Sequence, residues 1–304
     1  MAQIHHFEYG ALTPTVSYIL SVLGSLLGLT SAVRLRSARS GGERFWWLTL
    51  AAVAIGATGI WSMHFVAMLG FDVDGTPIRY DIGLTVASAV IALASVGVGL
   101  AIALLGKTAP RLRILVGGVL AGLGVGAMHY TGMAAMRLRG EIHYSGREVI
   151  ASIAIAVVAA TVALWLTLIV SKPIAIFGSA LLMGVAVNGM HFTGMLAMSV
   201  TPEGEAFGSV EGATAANLLV PVGAAVVFAI VGMGYALVSA PTEEDREAAE
   251  YLRQRIENRA AAPAAPAPAQ FGGQPAGQQQ PPNRSTGRGT LGDASWTYRD
   301  RGRQ

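Results

Sequence analysis

Seven stretches of this chain contain no Asp, Glu, Lys or Arg: about 12–33, 46–71, 82–106, 114–136, 149–170, 174–200 and 215–240. Each meets or exceeds the ~20 residues that carry a helix across a hydrocarbon core. In lipid the backbone must satisfy its own hydrogen bonds, so a span is either a helix or a strand of a closed barrel. The apolar runs are continuous rather than alternating, which selects helices. Charged residues make up 13% of the 304 residues, against roughly 25% in a soluble domain. The expected fold is therefore all-α, an integral membrane bundle of seven helices built from repeated helix pairs plus a final helix.

The connecting segments set an expected orientation. The first, third and fifth loops carry eight Lys or Arg, including Arg34, Arg36, Lys107 and Lys172. The even loops carry four, and the second and sixth are acid-rich, with Asp72, Asp74, Asp81, Glu203, Glu205 and Glu211. The excess of cations marks the cytoplasmic side. The N-terminus is then outside, the odd loops and the C-terminal tail inside, and residues 1–11, which lack Lys and Arg, do not read as a cleaved leader. Residues 1–240 form the membrane domain. Residues 241–259 read as a short polar cytoplasmic helix that opens on the acids Glu243, Glu244 and Asp245. Residues 260–304, rich in Ala, Pro, Gly, Gln and Arg, read as a disordered tail. No cysteine is present, which excludes disulfides and thiolate chemistry. No basic patch interleaved with aromatics points to nucleic acid.

One pattern occurs three times. Met63-His64-Phe65, Met128-His129-Tyr130 and Met190-His191-Phe192 each precede a second Met four residues after the His: Met68, Met133 and Met195. The histidines lie 65 and 62 residues apart, a period that implies a repeated unit. They fall toward the C-terminal ends of the second, fourth and sixth spans. Those spans run in one direction, so the three imidazoles reach similar depth near the outer face. Ionisable residues inside a membrane are costly, and by default mark a functional site. A lone His or Met there is more often core packing; three copies with the same neighbours are not.

His and Met at i and i+4 share a helix face. Each of the three helices can therefore aim an imidazole and a thioether at one centre. Thioethers favour Cu(I), whereas imidazole serves Cu, Zn or Fe, so the pairing favours copper. Thr131, Thr193 and Asn188 are expected to support the second ring nitrogens; the first copy has Val66 and Ala67 instead. Gly118, Gly122 and Gly126 repeat at a four-residue spacing that lets helix backbones approach closely.

Met128-His129-Tyr130-Thr131 is the literal signature of the MHYT sensor domain, and the chain resembles that family over residues 8–240. The resemblance implies seven spans in a bacterial inner membrane and copper held through the motif residues. The ligand set it implies is Met63, His64, Met68, Met128, His129, Met133, Met190, His191 and Met195. It further implies sensing of a diatomic gas (O2, CO or NO), not catalysis. Larger members carry cytoplasmic output domains, whereas the residues after the last span here read as a short helix and a disordered tail, so a separate cytoplasmic signalling protein is expected to read the signal. Three other readings stand beside it. One is a haem or redox protein using the same His and Met. Another is a zinc hydrolase, for which Asp72 and Asp81 are the nearest bases. The third is a metal transporter, which the absence of a charged pathway disfavours.

Overall fold

The structure is a computed structural model, and it describes residues 4–5, 8–74, 76–201, 210–238 and 243–261. Of the tail expected over 260–304, Ala260 and Ala261 instead close a helix, and 262–304 lies outside the described residues. Seven helices are long and apolar enough to cross a membrane: α1 (Leu12–Ser37), α2 (Gly41–Met68), α3 (Ile82–Leu105), α4 (Pro110–Ala134), α5 (Gly146–Ile169), α6 (Pro173–Leu196) and α7 (Ala215–Val238). An eighth helix, α8 (Glu243–Ala261), is polar and belongs to a separate compact unit. The chain is a multi-pass, all-α membrane protein.

Several helices run past the uncharged stretches. Arg34 and Arg36 sit in the last turn of α1, where cations suit the helix dipole. The Arg36 guanidinium donates to the carbonyls of Leu168 and Val170 at the end of α5. Helix α2 starts at Gly41 because Ser40 caps it, its hydroxyl accepting from the Glu43 N–H at 3.1 Å. Asp81 does the same for α3 by accepting from the Leu84 N–H at 2.9 Å. Pro110 and Pro173 occupy the first turns of α4 and α6, where a missing N–H costs nothing.

Six of the spans pack as a closed ring. Helix α1 lies against α2, α2 against α3, and so on through α6, which returns to α1; α7 packs on α2. Short strands divide the ring into three units. β1 (Ile4–His5) precedes α1 and pairs antiparallel with β2 (Asp72–Val73), which follows α2. β3 (Arg79–Tyr80) and β4 (Met136–Arg137) bracket α3 and α4 in the same way. β5 (Glu141–Tyr144) and β6 (Met198–Thr201) bracket α5 and α6. Each unit is thus strand, helix, His-bearing helix, strand, and α7 is the additional helix.

The glycine spacing on α4 does what the sequence predicts. A Cβ at Gly118 would meet Thr161, and one at Gly122 would meet the backbone of Val157, both on α5. Close backbone approach of this kind raises the van der Waals contact that holds membrane helices together. One feature breaks the symmetry. Residues Val53–Ser62 of α2 form a π-helix, a rare conformation that recurs at functional sites. It ends directly before Met63-His64.

Candidate metal centre

The three motif histidines meet. Each lies near the C-terminal end of its helix, α2, α4 or α6, and the three helices run in parallel. The Nδ1 atoms of His64 and His191 are 3.0 Å apart, and those of His64 and His129 are 3.2 Å apart. The rings stand edge to face, with centroids 4.9, 5.0 and 5.2 Å apart. All three side chains are at most 1% exposed. Among the described residues this is the one cluster of three or more His, Cys, Asp or Glu with ligand atoms close enough to share an ion, all within 4.8 Å.

Three nitrogens in a triangle cannot satisfy one another. Each neutral imidazole Nδ1 carries either a proton or a lone pair, so at least two of the three carry the same. Each Nε2 is also buried without a hydrogen-bond partner among the described residues, although buried polar groups are nearly always paired. A cation resolves the central conflict by accepting all three lone pairs. Bonds of ~2.0–2.1 Å to imidazole place the nitrogens about 3.3–3.6 Å apart. The two closest pairs need to open by only a few tenths of an ångström, so the residues present fit a metal ion.

The ring edges are seated by the motif itself. A Cβ on Gly132 would overlap Nε2 of His64, and a Cβ on Gly194 would overlap Nε2 of His129. Both glycines stand three residues after the His of the next motif. Glycine is required at these two positions for space. The corresponding residue of the first motif is Ala67, which is buried.

The methionines divide by position. Met68, Met133 and Met195, one turn beyond each His, join one apolar cluster with Phe65, Phe71 and Tyr80, beneath the paired strands. Met136 and Met198 lie in the same cluster. Met128 and Met190, immediately before their histidines, belong to the cluster on the opposite side. Met63 is fully buried. The triad therefore forms a layer between two apolar regions, with three equivalent thioethers on the strand side.

The expected support for the second ring nitrogens is not there. Thr193 Oγ1 donates to the Gly189 carbonyl at 2.7 Å, one turn back on its own helix. Asn188 faces α1: its Oδ1 accepts from Ser17 at 2.8 Å, and its Nδ2 donates to Ser21 at 3.0 Å and to the Gly184 carbonyl at 2.9 Å. Its role is to join α6 to α1 where the ring closes.

Two of the other readings fit this geometry less well. A haem needs its macrocycle between axial ligands, and these rings are in edge contact. A zinc hydrolase needs a base beside the ion, and among the described residues the cluster holds no carboxylate. Asp81 is occupied by the Leu84 N–H and by Arg137, whose Nη2 donates to Oδ2 at 2.5 Å. These partners, Leu84 first, hold its carboxyl below the usual range. In the strand-side cap, burial pushes the Tyr80 phenol well above its ordinary range. Burial, and then Tyr130, push Tyr144 up to about 12.

The repeat seen in the geometry is also seen in comparison with known proteins. The MHYT family model, described as a bacterial signalling protein N-terminal repeat, matches residues 58–118, 122–179 and 184–251. The bifunctional diguanylate cyclase/cyclic di-GMP phosphodiesterase MucR of Pseudomonas aeruginosa is 40% identical over 195 residues, which cover 62% of this chain and 28% of MucR. A signalling protein of Caulobacter vibrioides is 33% identical over 223 residues, covering 73% of this chain and 27% of that one. The cyclic di-GMP phosphodiesterase NbdA of P. aeruginosa is 36% identical over 162 residues, 50% of this chain and 20% of NbdA. The chain thus spans about a quarter of the length of these relatives. No solved structure matches.

Proposed function

This chain belongs to the MHYT family of bacterial signalling proteins, and on that premise we propose that it is a copper-dependent membrane sensor of a diatomic gas. The observation that carries the reading is the convergence of three buried Nδ1 atoms from separate helices. His64, His129 and His191 hold the ion. Met68, Met133 and Met195 supply the soft sulfur atoms that favour Cu(I) over zinc. Met63, Met128 and Met190 complete the candidate set.

Copper, once bound, supplies a coordination position at which O2, CO or NO binds. The protein's own part is positional. Gly132 and Gly194 fix the ring edges, and the cluster around Phe65 and Tyr80 excludes water from the strand side. The π-helical turn leading into His64 is the element able to change. Relaxing it to α-helix rotates that imidazole relative to the other two. A sensor needs two such states with different ligand affinity.

The strand side faces outward in this reading, with the N-terminus outside and the C-terminus in the cytoplasm. A cytoplasmic signalling protein reads the change, and the names of MucR and NbdA suggest cyclic di-GMP as the messenger class. The test is elemental analysis of detergent-purified protein beside His64→Ala, His129→Ala and His191→Ala. Stoichiometric copper lost from all three variants supports the reading; equal metal in wild type and variants removes it.

A further inference from the structure

One helical turn before each triad His, on the same face of its helix, stand Ile60, Val125 and Val187. All three line a cavity with about 60 Å3 open to the centres of water-sized molecules. Met190, next to His191, lines it too. The cavity therefore ends about one helical turn from the triad, on the side away from the strands, with Ile60, Val125, Val187 and Met190 between it and the imidazoles. Among its lining residues only Ser25 and Thr167 carry hydroxyls, and the Thr167 hydroxyl already donates to the Leu164 carbonyl at 2.6 Å. A buried water needs two to four polar partners, whereas apolar cavities stay dry and take up non-polar guests. This one has the volume for a small guest and lacks the partners for water.

The cavity has a thin wall. Ala159 of α5 and Met183 and Ala186 of α6 line it from inside, and the same three residues line a groove of about 470 Å3 between α5 and α6. That groove is apolar, and its outer rim carries the exposed side chains of Val158, Val162 and Leu182. In a membrane-spanning bundle this rim faces hydrocarbon. Two alanines and one flexible, unbranched methionine form the wall that this groove shares with the cavity.

We propose that this cavity is a binding site for a non-polar molecule of diatomic size, and that such molecules enter it sideways from the bilayer through the α5–α6 seam, with Met183 as the gate. The proposal extends the sensor reading by giving its ligand a waiting position and a route. It also explains how a triad sealed from water can be reached. A gas that dissolves in hydrocarbon arrives without crossing the polar cap.

Xenon tests the site without the metal. Metal-free protein in nanodiscs is titrated with hyperpolarised xenon, and the bound signal and its exchange rate are read. Wild type should show one saturable site. Ala186→Phe, which plugs the wall, should abolish the site or slow exchange at least tenfold. Met183→Ala should speed exchange, and Val86→Phe, exposed on α3, should change nothing. Each variant is first checked for wild-type helical content. Absence of a saturable site in folded wild type overturns the proposal, as does exchange that responds to neither Ala186→Phe nor Met183→Ala. Because no copper is involved, xenon binding without copper binding defeats only the metal reading, and the reverse result defeats only the cavity.

Discussion

The Nε2 edge of His64 rests where a side chain of Gly132 would stand, so the first motif's histidine is seated by the second motif's glycine. His129 and Gly194 repeat the relationship between the second and third motifs. The three motifs are therefore interlocked, and a change in one displaces the histidine of another. Gly132→Ala should shift His64, and Gly194→Ala should shift His129. Each overpacks a full interior, at about 1–3 kcal/mol, and each should lower copper occupancy while leaving its own motif's His in place. Thermal unfolding and metal content of the two variants check this. Unchanged occupancy in both would show that the seat does not matter.

On the proposed function, the thioethers one turn beyond the histidines should separate copper from zinc. Met→Leu is close to volume-conserving and usually costs less than about 1.5 kcal/mol. Met68→Leu, Met133→Leu and Met195→Leu combined should weaken Cu(I) binding at least tenfold and leave Zn(II) affinity within about twofold, since sulfur favours the soft ion. Competition titrations with a Cu(I) chelator and with zinc read both arms. Equal losses for the two metals would mean that the methionines only pack.

Asn188 gives the opposite signature. It binds Ser17 and Ser21 of α1 rather than a histidine. Asn188→Ala leaves those hydroxyls short of a partner and should destabilise the fold by about 1–3 kcal/mol, with copper content unchanged. A loss of copper from protein of wild-type helicity would restore Asn188 as a support for the triad.

The strand-side cap should respond to acid through Asp81. Its carboxyl is held below the ordinary value of 3.8 by the Leu84 N–H and then by Arg137. A group whose folded value is depressed stabilises fully above its ordinary value and loses that effect as pH falls through the folded one. The melting temperature of wild type should therefore drop more steeply than that of Asp81→Asn below about pH 4, and the two should run parallel above it. Parallel curves throughout would remove Asp81 from the acid response.

Much of this was legible in the sequence because membranes impose simple signals. Uncharged runs marked the seven spans to within a few residues, and the repeated Met-His-aromatic pattern marked the triad. Parity of the spans brought His64, His129 and His191 to one depth, as found. The ends were less legible: Ser40 and Asp81 start helices through caps that a charge count does not register, and Arg36 stays helical by reaching the α5 carbonyls. The π-helix over Val53–Ser62 left no mark in an apolar run whose composition does not change there. Helix pairing came out as the sequence implied, three repeated pairs plus a final helix. The strands bracket α1 with α2 and leave α7 as the additional helix. Asn188 looked like a partner for His191 because it stands three residues away, but its side chain turns to the serines of α1. The cavity had no residue signature, since it is made of what alanines at 159 and 186 leave empty.

The most direct measurement is anomalous diffraction at the copper absorption edge from crystals of the copper-loaded protein. A single peak bonded to Nδ1 of His64, His129 and His191 is the predicted result. A peak on other residues, or none in crystals that hold stoichiometric copper in solution, would contradict the shared site.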